Sequence, residues 1–299
     1  MSRWKGDKIM MRWTIYAGCA LLAAGCAQSP ELTDEEWITE LVEKSGVAQT
    51  SNLNGTGDPS GNGNGNDVGL PEVWYRQLVN EPSAEILLEN DPSAGVCTVT
   101  VIHSLEAEFI IDTVHDGVFL PGSKPIEDIR YIRLIAEKDD NEDAYGGWRI
   151  VSATPAEHML AGDGQEVFIT SMSIYKDDGL IWSCTDPGEF YDVNEELPLL
   201  VPGDFVRMEA TVNHLDPQYD PPLFVVAHGP LSGHSRHMMY DNGLYGDQIA
   251  DDGVYSYEWY VEYTGEHQRI AVDVIDGDTF ADQTEDDYDA GAWGIAYLR

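Results

Sequence analysis

Two stretches of this chain gather side chains that can do chemistry. From Asp241 to Asp252 the loop holds Asp241, Asn242, Asp247, Asp251 and Asp252 within a dozen residues. Several hard oxygens in a glycine-bearing loop suit calcium, which prefers many oxygen ligands and tolerates flexible geometry. A second stretch carries Asp276, Asp278, Asp282, Glu285, Asp286, Asp287 and Asp289 before the final Trp293-Gly294-Ile295. Asp241, Asp247, Asp251, Asp252, Asp276, Asp278 and Asp282 are the expected oxygen donors if calcium is bound. The spacing of the first stretch is not that of an EF-hand. Asx side chains that bond their own backbone in tight turns account for the same residues without a cation.

Histidines form a second group. His214, His228, His234 and His237 fall within twenty-four residues, and imidazoles beside carboxylates can hold zinc. His234 and His237 are three apart, on opposite faces of a strand, which argues against a shared ion. For acid–base work the candidates are His103, Asp112, His115 and Tyr131. Asp112 and His115 are again three apart on an expected strand. No Gly-x-Ser-x-Gly, His-Glu-x-x-His or Walker-type motif occurs. Tyr255, Tyr257, Trp259 and Tyr263 can stack on sugar rings if they face solvent. Residues 255, 257 and 259 share one strand face, and such a stripe is more often core.

The elements that would position these groups follow from local pattern. Thr33-Asp34-Glu35-Glu36 is a capping box, Trp37, Ile38, Leu41 and Val42 form one apolar helical stripe, and Gly46 is a stop. Residues 49–69 are Asn, Gly and Ser with little apolar content, a flexible linker by composition. Val73, Trp74, Gln77 and Leu78 mark a short helix. Strand-like runs follow at Cys97–His103, Glu106–Val114, Asp128–Glu137 and from Gly147. Beyond Gly164 the chain reads as all-β, with runs at Glu166–Tyr175, Phe205–Asn213, Leu223–Ala227, Arg236–Tyr240, Tyr255–Tyr263 and Gln268–Val274.

Arg3, Lys5, Lys8 and Arg12 precede the apolar run Trp13–Ala24, and Leu22-Ala23-Ala24-Gly25-Cys26 closes it. This resembles a bacterial lipoprotein signal, which implies cleavage before Cys26 and acylation of its sulfur, palmitate included. The run is too short and too lopsided in charge for a spanning helix. Ala27 resembles the residue that follows the cysteine in outer-membrane cargo. A helix followed by long antiparallel strands, the last beginning Gly147-Trp148-Arg149-Ile150, resembles the cone-shaped α+β domain of the nuclear-transport-factor-2-like superfamily. Asp241-Asn242-Gly243 through Gly246-Asp247 to Ala250-Asp251-Asp252-Gly253-Val254-Tyr255 resembles a turn of immunoglobulin-like modules in bacterial surface proteins. That likeness marks a fold and names no activity.

Composition narrows the partners. The chain has 16 Lys plus Arg against 54 Asp plus Glu; removing the four basic residues and Asp7 of residues 1–26 leaves 12 against 53, a net of −41. Such a surface repels nucleic acid and anionic lipid heads and favours divalent cations or basic partners; a saline habitat gives the same balance. Cys97 and Cys184 remain once Cys19 leaves with the signal and Cys26 is acylated. In an oxidising compartment they either form a bridge that contributes about 4 kcal/mol or stay as two buried thiols.

The expected architecture is therefore a signal (1–26), a tether with a short helix and linker (27–70), an α+β cone-like domain (71–162) and an all-β immunoglobulin-like sandwich (163–299). The expected role is a non-catalytic binding or assembly module, anchored to the membrane through its N-terminal lipid in the cell envelope, at the outer membrane. An envelope protein or a glycan is the expected partner, and nucleic acid is not. A small-molecule pocket or weak enzyme in the cone, and a glycan-binding surface, are the alternatives.

Overall fold

A computed structural model describes residues 32–48, 73–80, 82–112, 120–140, 144–162, 164–216, 223–228, 236–261, 269–281, 283 and 287–297. Leu32–Arg299 forms one compact unit. Its elements are α1 (Asp34–Lys44), β1 (Val73–Leu78), β2 (Ser83–Leu88), β3 (Val96–Asp112), β4 (Gly122–Lys138), β5 (Trp148–Ala153), β6 (Ala156–Leu160), β7 (Val167–Lys176) and β8 (Gly179–Cys184). They continue with β9 (Tyr191–Asp192), β10 (Phe205–His214), β11 (Phe224–His228), β12 (Arg236–Met238), β13 (Val254–Tyr260), β14 (Arg269–Ile275) and β15 (Ala290–Ala296). Among the described residues no helix is long and apolar enough to cross a membrane.

The strands make two antiparallel sheets. The large one runs β1-β3-β4-β6-β15-β14-β11-β12, with β2 also on β3, β5 on β4 and β9 on β5; the small one runs β13-β10-β7-β8. β7 lies against β14 and β15, so the sheets stack as a sandwich. Ile270, Val272 and Val274 of β14 face the small sheet, where Met172, Ile174, Val206, Met208 and Trp259 complete the core between the layers. The alternate residues of β14, Ala271, Asp273 and Ile275, point to the other face. β14 and β11 are thus buried on both sides, which is why Phe224-Val225-Val226-Ala227 and Ile270-Ala271-Val272 read as continuous apolar runs rather than alternating ones.

The large sheet curls. Its two ends, β1 and β12, meet through side chains: the Arg236 guanidinium sits 3.7 Å from the Trp74 ring and donates to the Trp74 carbonyl. The inner face holds Trp74, Phe109, Ile111, Ile126, Val226, Met238 and Ile275. Phe280 and Tyr288, which lie between β14 and β15 in sequence, pack into this interior. Phe280 stands edge-on to Trp74, Phe109 and Phe224 at 5.6, 5.7 and 4.7 Å, and Tyr288 lies 5.3 Å from Phe109.

One expectation changes. Residues 73–78 form strand β1, not a helix: Trp74 and Arg76 turn inward while Gln77 faces solvent, a period of two carried by aromatic and branched residues. No α+β cone is shown over 71–162, whose described residues are strand and 3₁₀ turn. β6 pairs with β15 through His158↔Ala292 and Ala156↔Gly294, so strands from both sides of residue 162 share the large sheet.

Helix α1 forms where its sequence placed it. Thr33 and Glu36 exchange both capping-box bonds, and Ile38, Leu41 and Val42 are buried. The helix is docked on the β body. Asp34 accepts from the Trp148 indole at 3.0 Å and pairs with Lys138 at 2.5 Å, which holds its carboxyl below the usual range. Trp37 lies over the turn Ala144–Gly147, where Gly146 has φ +63 and a Cβ would come 2.6 Å from the indole. Replacing Gly146 by Ala adds both left-handed strain and this clash. Urea unfolding of Gly146→Ala is expected to show a loss of about 1–3 kcal/mol; an unchanged midpoint would mean that Trp37 is not seated on this turn.

Candidate functional site

A cluster of buried charged and polar side chains sits inside the curled sheet. β1 turns Arg76 inward and β14 turns Asp273 toward it. Nη1 and Nη2 of Arg76 bond the two oxygens of Asp273 at 2.5 and 2.9 Å, and Nε donates to the Tyr288 hydroxyl at 2.8 Å. His228 of β11 places Nε2 3.5 Å from Asp273. Asp128 and Arg130 of β4 and His158 of β6 are buried beside them. Arg76, Asp128, His158, Asp273, Tyr288 and the small residues at 290–292 line a cavity large enough for about one water molecule.

Burial and pairing compete at each group. Burial works to raise the Asp273 carboxyl, but Arg76 and the bond from His228 overcome it and hold it at about 2. Burial works to lower the Arg76 guanidinium, and Asp273 and Tyr288 drive it well above its ordinary value. Asp128 is pushed up by burial, against the pull of Arg76 and Arg130. Arg130 is brought down by burial to about 10. Burial, then the charges of Arg130 and Arg76, depress His158 well below its ordinary value, and neither of its ring nitrogens has a hydrogen-bond partner. His228 is lowered by burial despite Asp273. Both imidazoles are therefore neutral at pH 7. At the plugged end Lys124, fully buried, donates to the Thr279 carbonyl at 2.8 Å and pairs with Asp287.

The Asp241–Asp252 loop does bring carboxylates together. Asp241, Asp247 and Asp252 each offer an oxygen within 4.8 Å of the others, the one such group of metal-ligating side chains among the described residues. These carboxylates also accept bonds from the loop's backbone. Asp247 takes the amides of Gly243 at 2.5 Å and Ile249 at 3.2 Å; Asp241 takes those of Asp252 at 3.1 Å and Gly253 at 2.8 Å; Asp252 takes Val254 at 3.0 Å. Burial raises the Asp241 carboxyl against these amide bonds. Three hard oxygens converge here, and the turn is ordered by the same atoms. Asp251 supplies a left-handed turn residue at φ +60 and is not among the three.

The other candidates are dispersed. Asp276 accepts from the Asp278 amide at 2.6 Å as the cap of a 3₁₀ turn and lies 3.3 Å from His214 Nε2, while Asp282 falls outside the described residues. His214 meets Asp276 and Glu166, His228 meets Asp273, and His237 stacks on Tyr257 at 4.7 Å; His234 lies outside the described residues. His103 and Asp112 are nine residues apart on β3, which separates them by about 30 Å. His103 pairs with Arg130 and Ile102 with Tyr131, so His103 and Tyr131 face opposite sides of the sheet. His115 and Tyr263 are outside the described residues. The aromatic row of β13 turns into the sandwich: Trp259 is 6% exposed, stacked at 5.8 Å on Tyr257, and Tyr255 packs against the same core. Cys97 and Cys184 are free, buried thiols on different sheets, their Sγ atoms 3.6 Å from the Asn90 carbonyl and 3.2 Å from that of Asp186; no bridge joins them.

Sequence reasoning missed the Arg76–Asp273 pair. The signal was present: a single Asp inside Ile270-Ala271-Val272-Asp273-Val274-Ile275, and a single Arg in Val73-Trp74-Tyr75-Arg76. A lone charge within an apolar strand run must be paired or neutralised. Comparison with known proteins returned no match to the chain from protein-family models, curated proteins or solved structures.

Two outcomes follow for this site. Asp273→Asn leaves Arg76 buried without its counter-charge and is expected to cost about 3–5 kcal/mol by urea unfolding; a loss under 1 kcal/mol would show that the pair contributes little. The second concerns pH. A buried neutral histidine has a folded pKa below its unfolded value of about 6.5, so its stabilisation is complete above that pH and is lost as pH falls, by up to about 1.4 kcal/mol per unit. Asp128, raised by burial, and Asp289, pushed to about 6 by burial and by Asp276 nearby, act in the opposite sense. Measuring wild type against His158→Leu cancels those terms. The stability difference is expected to shift toward the variant by about 2 kcal/mol between pH 6.5 and pH 5, and a constant difference would mean that His158 titrates normally in the folded chain.

Proposed function

We propose that this chain is a lipid-anchored envelope protein that works as a non-catalytic binding or assembly module. The observation that carries the non-catalytic reading is the closed Arg76–Asp273–Tyr288 cluster beside a cavity too small for a substrate, although His158 there makes no hydrogen bond. Asp273, one of the two acids lining the cavity, is clasped by both Nη atoms of Arg76, whose Nε is taken up by Tyr288. A general base needs a carboxylate or imidazole free to reach a substrate proton, and this carboxylate is bound on both oxygens. The cavity beside it has room for about one water molecule, far below the size of a small-molecule site.

The anchor reading rests on residues 1–26, where four basic residues, an apolar run and Ala23-Ala24-Gly25-Cys26 stand in the order of a lipoprotein signal. The immunoglobulin-like reading of the C-terminal stretch is supported by the sandwich of antiparallel sheets and by the ordered Asp241–Asp252 turn. That turn also carries Leu244 and Ile249, 58% and 63% exposed, beside a half-exposed Tyr245. Apolar tips on a stiff, acid-bonded loop are a fitting contact surface for an envelope partner.

Metabolic labelling with an alkyne palmitate analogue in a bacterial host tests the anchor. Label and membrane-fraction recovery are expected for wild type, and both are expected to disappear in Cys26→Ser. Label retained by the variant would overturn the reading.

A further inference from the structure

α1 is part of the folded body, and this changes which segment sets the distance to the membrane. Ile38, at 0% exposure, and Val42 are built into the same core as Cys97, Trp148 and Ala153 of the sheet. Asp34 is bonded to Trp148 and Lys138, at the N-terminal end of the helix. At the other end Arg269 of β14 donates to the carbonyls of Gly46 and Val47 at 2.5 and 2.7 Å. Trp37 closes on Gly146 between them. The first turn of the helix and the residues just past its end are therefore fixed to parts of the body far away in sequence.

The Asn/Gly-rich stretch 49–72 lies between α1 and β1, two elements of one compact unit. Its length joins two points of the same body and adds nothing to the reach from the lipid. Six residues, Ala27 to Leu32, separate Cys26 from the helix cap Thr33. At full extension that stretch spans about 25 Å.

We propose that the α1 pole of the fold, made of α1, the 3₁₀ turn Pro92–Ala94 beside it and the start of β5, is the membrane-facing pole, held against the headgroup layer by this short connection. The proposal rests on acylation of Cys26. The occupant of the space facing this pole is the bilayer to which the lipid belongs, and the argument is covalent length. The acidic first turn of α1, Asp34, Glu35 and Glu36, gives no attraction to an anionic surface. The pole is kept near by the anchor and not by its own charge. Were α1 undocked, residues 45–72 would become the tether and add a root-mean-square reach of about 30 Å.

The test uses the full-length acylated protein in vesicles containing a headgroup-labelled acceptor lipid, with a donor dye at Ser93→Cys, an exposed position on the β body beside α1. Energy transfer is expected to be high. Twenty Gly/Ser residues inserted after Gln28 are expected to lower it strongly, and the same insertion within 61–66 to leave it unchanged. Ile38→Asp, which undocks the helix, is expected to lower transfer as the first insertion does. Equal loss from both insertions would overturn the proposal, because 49–72 would then be acting as tether. Failure of the anchor reading looks different: Cys26→Ser would keep palmitate label and vesicle association, and transfer would not depend on either insertion.

Discussion

Arg76 and Asp273 are the constraint around which the rest of the fold is arranged. One comes from the first strand and the other from the fourteenth, and in the ladder of the large sheet they are five strands apart. They can touch only if the sheet curls. Once it does, two charges are removed from water, and each is tolerable only with its partner in place. The aromatic plug of Phe280 and Tyr288 excludes solvent from that end, and the Tyr288 hydroxyl fills the donor that Asp273 leaves over. Curl, plug and ion pair thus depend on each other. Breaking one exposes or strands the others, so the interior is a single cooperative unit and not a set of separable contacts.

The outer face of the same sheet answers a simpler need. Val272, Val274, Trp293 and Ile295 require apolar cover, and β7 and β10 of the small sheet provide it. The division of labour explains the composition. Acidic residues dominate the chain, but they collect on turns and rims, where they cap backbone amides, as Asp241 and Asp247 do. Several of the few basic residues lie inside: Arg76, Lys124, Arg130 and Arg236 are all buried.

Much of the strand layout is legible in the sequence. The runs at 166–175, 205–213, 255–263 and 268–274 are strands β7, β10, β13 and β14 within a few residues, and the Thr33 capping box marks the start of α1. Local pattern sets these, so local reading finds them. Residues 73–78 were misread because Val73, Trp74, Gln77 and Leu78 also fit a helical stripe. Only pairing with β3, Trp74 against Ile111 and Arg76 against Phe109, decides for strand. Placement of β15 between β6 and β14 is equally non-local, and no window of sequence records it. The acid turn was legible as a cluster, and Asp241, Asp247 and Asp252 do converge. Asp276 and Asp278 did not join a cluster, because a 3₁₀ turn uses the first as its cap. The interior charges were overlooked because their meaning lies in a partner about two hundred residues away.

The position of β15 has a consequence for the order of events in synthesis. Residues 290–296 are the last strand to be made among the fifteen, yet they lie at the middle of the large sheet, hydrogen-bonded to β6 on one side and β14 on the other. Until they emerge, the β1–β3–β4–β6 half and the β14–β11–β12 half have unpaired edges facing each other and no backbone ladder between them. The small sheet lacks much of the surface it packs on. Such a chain gains little from early collapse, since its closing contacts join residues separated by more than a hundred positions. Closure of the large sheet between β6 and β14 therefore waits until β15 has been made, after the other fourteen strands.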